Sequence, residues 1–67
     1  MLFRSVIQAL HEHHPRQAEV VTLRFLTGRS MPEIGEMMGV SVATVERDWK
    51  FAKAWMRDYL ELNGVSA

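Results

Sequence analysis

An all-α domain of four helices, ending in a helix-turn-helix and lacking a wing, is the fold this sequence predicts. Three observations predict it. Apolar residues recur three and four apart in separate segments, the spacing of helices with one buried face. No segment reads as a strand. Each helical segment is bounded by a proline, a glycine or a capping serine. A chain of 67 residues that is 48% hydrophobic, with only two Pro and four Gly, suits a single domain (1–67) built by helix packing.

The first helix is predicted over about 2–13, with Phe3, Val6, Ile7 and Leu10 forming its buried stripe. It stops at His14 because the residue before a proline is pushed out of the helical region. The second, about 15–27, opens on Pro15, whose fixed φ suits a first helical position. Ala18, Val21 and Phe25 line one face, and Val20, Leu23 and Leu26 widen the apolar surface to nearly the whole helix. Such a helix packs in the middle of its domain, and Gly28 ends it.

The third, about 31–38, opens on a capping box in which Ser30 and Glu33 satisfy each other's backbone N–H groups. Ile34, Met37 and Met38 are expected to face inward, Gly35 to admit a close backbone, and Gly39 to stop the helix. Ser41 caps the fourth helix, about 42–62, which Asn63-Gly64 is expected to close, leaving Val65 to Ala67 frayed. Its stripe of Val45, Trp49, Ala52, Met56 and Tyr59 steps by four and three.

Eight Lys/Arg balance eight Asp/Glu, which argues against a strongly basic, sequence-indifferent nucleic-acid binder. A local basic face remains compatible with neutrality. The absence of cysteine removes disulfides and Cys-based metal sites, and fits a reducing cytoplasm. No apolar run approaches the ~20 residues of a membrane span. The first residues lack the apolar stretch of a signal peptide.

A short capped helix, a three-residue turn at a glycine and a longer capped helix make a helix-turn-helix from residue 31 to about 57. In such units the N-terminal part of the second helix enters the major groove. At 100° per residue, Ala43, Glu46, Lys50, Lys53 and Arg57 fall opposite the apolar stripe, with Arg47 at the flank. Asp48 projects instead to the margin of the core, about 150° from the centre of that outer face. There it is expected to pair with Arg16 or Arg24. Glu46 precedes Lys50 by four residues, which suits a helical ion pair; alternatively it accepts from a cytosine amine in the groove.

The stretch Pro15-Arg-Gln-Ala-Glu-Val-Val-Thr-Leu-Arg-Phe25, then Gly28, then Ser30 through Val45, resembles region 4 of bacterial RNA polymerase sigma factors. It is most similar to the extracytoplasmic-function (ECF) group. Within that group, Thr44-Val-Glu-Arg-Asp-Trp-Lys-Phe-Ala-Lys-Ala-Trp-Met56 looks like a subgroup whose last helix reads Thr-Val-Lys-Arg-Asp-Trp-Arg-x-Ala-Arg-Ala-Trp-Leu. The likeness covers roughly residues 10–60.

The resemblance implies binding to double-stranded promoter DNA at the −35 element and docking on the flap of the RNA polymerase β subunit. Carried over, Arg47 and Lys50 are the main base-edge and phosphate contacts, with Glu46 beside them. Ser41, Val42, Ala43 and Thr44 lie at the groove entrance, where backbone N–H groups favour a phosphate. Arg29, Ser30 and the start of the third helix touch the DNA backbone, and Lys53 reaches phosphate if the helix lies shallowly. An anti-sigma factor is a further partner, and a monomer is expected.

Two departures qualify this. Many relatives carry a base at position 46, where this chain has Glu. Region 2, which melts the −10 element, is not present in the sequence, so an excised domain is expected, with a natural stand-alone regulator as the alternative. Two rival functions are a protein-interaction module for the flap or an anti-sigma factor, and a LuxR-type helix-turn-helix regulator.

Other constellations carry less. His11, His13 and His14 with Glu12 lack a second ligand pair and do not form His-Glu-x-x-His, so no metal is expected. Trp49, Phe51, Trp55 and Tyr59 lie on or beside the packed stripe and are expected in the core, not as a base-stacking platform. No catalytic set or phosphate-cradling loop is found, and neither an enzyme nor a cofactor is expected.

Overall fold

The computed structural model describes residues 2–62, with side chains from Arg4 onward. The expectations for the Phe3 side chain and for Asn63 to Ala67 lie outside what is described. Four helices follow one another: α1 (Leu2–His13), α2 (Pro15–Leu26), α3 (Met31–Met38) and α4 (Val42–Leu62). Among the described residues there is no strand, and hence no wing.

The α1–α2 junction is one residue long. His14 leaves helical geometry at φ −142° and ψ 73°, and Pro15 starts α2. Hydrogen bonding nonetheless runs across the junction: His14 N–H donates to the Leu10 carbonyl at 2.7 Å, and the His14 carbonyl accepts from Ala18 N–H at 3.0 Å. The α2–α3 connection turns at Gly28, whose φ of +70° is the left-handed conformation that favours glycine.

Two apolar clusters make the core. Leu10, Ala18, Val21 and Ala52 join α1, α2 and α4, with Ile7, Trp49, Trp55 and Met56 packed around them. Val20, Ile34 and Val45 join α2, α3 and α4, with Leu23, Met31, Met38, Val40 and Trp49 around them. Successive residues of α2, Val20 and Val21, feed different clusters, and Trp49 touches both. The broad apolar surface of α2 therefore does place it centrally.

Three inward assignments and one marginal one need correction. Phe25 is 54% exposed; its ring covers Trp49 from outside, with centroids 5.2 Å apart. Met37 is 55% exposed. The buried side of α3 is centred on Met31, Ile34, Gly35 and Met38, and Met37 projects about 110° from that centre at 100° per residue. Phe51 is 42% exposed and meets the edge of the His14 ring at 4.8 Å instead of entering the core. Asp48 is not at the core margin but inside it, at 2% exposure. The fully buried positions of α4 are Val45, Asp48 and Ala52, so its inner face is rotated toward Asp48 and leaves Trp49 half-buried.

The α3–α4 turn is set by close backbone approach. Gly39 adopts φ +72°, and Val40 N–H donates to the Gly35 carbonyl at 2.9 Å. A Cβ on Gly35 would lie 2.8 Å from the Val40 carbonyl oxygen. That contact is with backbone, which cannot swing aside as a flexible side chain does. Gly35→Ala is therefore expected to destabilise by roughly 1–3 kcal/mol through overpacking, despite the ~1 kcal/mol that Ala gains in helix propensity. Urea denaturation checks this, and a midpoint equal to or above wild type would contradict it.

Candidate nucleic-acid interface

The outer side of α4 is built from its N-terminus. Ser41 Oγ accepts from Thr44 N–H at 3.1 Å and lies 3.0 Å from Thr44 Oγ1. The Ser41 carbonyl takes the first helical bond, from Val45 N–H at 3.1 Å. Ser41, Val42 and Ala43 are exposed, Thr44 is half-buried, and no acid occupies the first turn. The N–H groups of Val42 and Ala43 thus face solvent at the positive end of the helix dipole.

Further along the helix, Glu46 and Arg47 about one turn on and Lys50 about two turns on are exposed. None of the three pairs with another described residue. The expected Glu46–Lys50 tether is therefore not formed. An exposed pair of that spacing is worth only a few tenths of a kcal/mol, and hydration of both charges competes with it. Lys53 leans back, with Nζ 5.5 Å from the centre of the Trp49 ring, so cation–π attraction draws it toward the core side. Arg57 Nε lies 3.6 Å from Asp58 Oδ1. The uncommitted cations next to the α4 N-terminus are thus Arg47 and Lys50.

The start of α3 is differently occupied. Ser30 N–H donates to Glu33 Oε1 at 2.9 Å, and Glu33 N–H to Ser30 Oγ at 3.3 Å, completing the capping box. Arg29, half-exposed, lies 4.0 Å from Glu33 Oε2. An anion approaching Ser30 would meet the Glu33 carboxylate already on its N–H. The α4 N-terminus is open where that of α3 is filled.

Behind this face, Asp48 joins α4 to α2. Its Oδ1 accepts from Arg16 Nη2 at 3.0 Å and Gln17 Nε2 at 3.1 Å. Arg16 Nε lies 3.0 Å from Oδ2 but out of line, so charge rather than an aligned hydrogen bond holds that oxygen. Arg16 is thus the partner, and Arg24 is not. Arg24 lies eight residues further along α2, about 12 Å away, and donates to the Arg29 carbonyl at 3.3 Å. The part played by Gln17 was not legible in the sequence, since a glutamine in a first helical turn carries no signal of a buried acceptor.

The histidines serve packing. His13 and His14 lie 6.0 and 5.9 Å from the Trp55 ring, and His11 Nε2 is 3.3 Å from Thr22 Oγ1. Among the described residues, no group of three could hold a metal ion.

A capped helix-turn-helix with an open N-terminus and nearby exposed cations is compatible with a nucleic-acid interface but does not give the family. The family model for ECF sigma factors matches residues 2–62, nearly the whole chain. The chain belongs to the ECF sigma factor family. No curated protein and no solved structure matches it. ECF sigma factors are transcription factors, not enzymes, that act in transcription initiation with RNA polymerase and promoter DNA. This membership leaves the LuxR-type alternative without support. No described helix is long and apolar enough to cross a membrane.

The Ser30–Glu33 box has a pH signature. The Glu33 carboxyl is held below its ordinary value of 4.5, first by the hydrogen bond from Ser30 N–H, then by the Ser30 hydroxyl and the charge of Arg29. A carboxyl lowered on folding contributes stability above its unfolded pKa and loses it as pH falls through the folded one. From about pH 6 to about pH 3, the urea midpoint of wild type is expected to drop further than that of Glu33→Gln. Equal drops would remove Glu33 from the acid response.

Proposed function

We propose that this ECF sigma factor chain binds the −35 promoter element through the outer face of α4, as region 4 of its family does. One observation carries the reading: Arg47 and Lys50, exposed and without an ion-pair partner among the described residues, stand about one and two turns from a serine-capped helix N-terminus whose first turn holds no acid. The Val42 and Ala43 N–H groups are suited to a phosphate, and Thr44 holds the Ser41 cap from within. Arg47 and Lys50 are the side chains for base edges and phosphates. Glu46, without an ion-pair partner among the described residues, is suited to accept from a cytosine N4 amine. Arg29 and Ser30 play a lesser part, since both already engage Glu33. Lys53 reaches phosphate only by leaving Trp49.

A second contact, with the flap of the polymerase β subunit, has its own support. Ile7 and Leu26 line an apolar hollow between α1 and the end of α2, rimmed by Arg4, Gln8 and His11. Leu26 is 69% exposed.

Fluorescence anisotropy with duplexes drawn from a randomised pool, at two salt concentrations, tests the DNA reading. Lys50→Ala and Arg47→Ala are each expected to weaken binding, and at least one to change base preference by ~1–3 kcal/mol. A lost phosphate contact lowers the salt slope by about one. If neither substitution alters binding to any duplex, α4 is not the reading helix.

A further inference from the structure

We propose that Asp48 is a positioning residue for DNA recognition. Its buried carboxylate fixes the rotation of α4 on α2, and so the direction in which Glu46, Arg47 and Lys50 leave the domain. The proposal rests on α4 being the groove-reading helix.

The geometry is that of a two-sided grip. Neighbouring residues of α2 hold one carboxylate: Gln17 Nε2 at 3.1 Å and Arg16 Nη2 at 3.0 Å on Oδ1, and Arg16 Nε at 3.0 Å from Oδ2. The surrounding contacts are apolar: Ala18 and Val21 of α2 pack with Ala52 of α4, and Trp49, Trp55 and Met56 of α4 pack against the same cluster. Apolar contact is non-directional. Charge-assisted hydrogen bonds are directional and strong. They act at the residue beside Arg47 and two before Lys50.

Rotation matters at the groove. A side-chain head about 6 Å from the helix axis moves by roughly 2 Å when the helix turns about 20°. Hydrogen bonds to base edges do not survive such a shift, since their distances span only about half an ångström. Stability alone does not account for a carboxylate here, because replacing a buried ionic group by a well-packed apolar one is often neutral or stabilising. Fixing register is the best-attested use of such groups. The side chain of Asp48 is 3% exposed while that of Arg16 is 56% exposed, so the constraint is anchored on α4 and reaches the surface on α2.

The test separates orientation from recognition. Residual dipolar couplings of the free protein report the orientation of α4 relative to α2, and competition between a selected and a scrambled duplex reports preference. In Asp48→Leu, the couplings of α4 are expected to keep their internal pattern but to refit with the helix turned. Preference for the selected duplex is expected to fall about fivefold or more, the size of one lost base contact. Asp48→Asn keeps an acceptor for Gln17 and Arg16 and is expected to retain both properties.

Arg16→Lys keeps the charge but not the fork. It alters a half-exposed side chain that tolerates change, and a shift of the same sign is expected even if the Leu variant does not fold. An unchanged orientation in Asp48→Leu and Arg16→Lys overturns the proposal, as does a turned helix with preference intact. A wild-type protein with no duplex preference overturns the recognition role. In that case the couplings still decide whether Asp48 orients α4.

Discussion

A carboxylate in the core of a 67-residue domain is a demanding constraint, and the arrangement of α2 and α4 follows from meeting it. Asp48 is one of the three fully buried positions of α4, between Val45 and Ala52. A charge removed from water must be paired and hydrogen-bonded. The first turn of α2 provides both, through Arg16 and Gln17. That turn exists where it does because Pro15 starts α2 one residue after α1 ends. The proline, the arginine, the glutamine and the buried acid thus form one chain of dependence from a local breaker to a tertiary crossing.

The second dependence is steric. The α3–α4 turn closes because Gly35 has no Cβ to meet the Val40 carbonyl and Gly39 takes a left-handed φ. Val45 and Ile34 then bury together with Val20. The turn sets the angle of α4 from one side and the Asp48 grip sets it from the other. Between them, the outer residues of α4 are held by contacts that none of them makes. This leaves Arg47 and Lys50 free of structural duties and exposed.

Helix positions were almost fully legible in the sequence because the signals that start and stop them are local. Pro15, the Ser30–Glu33 box, Gly39 and the Ser41 cap each act over one turn of backbone, and each is found doing so. Burial was less legible. Phe25 and Met37 are apolar and at plausible helical spacing, yet both are more than half exposed. Periodicity locates an apolar face but not the extent to which neighbouring helices cover it. In the candidate interface, the outer placement of Glu46, Arg47, Lys50 and Lys53 followed from the 100° projection. What the projection could not supply was pairing. Glu46 does not tether Lys50, and Lys53 folds back over Trp49.

The sequence by itself determined the four helices, their caps, the helix-turn-helix and the basic outer face, because backbone sterics and side-chain periodicity act between residues a few positions apart. Only the tertiary structure decided that Asp48 is buried rather than marginal, and that Arg16, not Arg24, meets it with Gln17 beside it. These depend on how α2, α3 and α4 cross. A crossing is a compromise among contacts separated by about thirty residues of chain, as in the Arg16–Asp48 pair, whose members stand 32 positions apart.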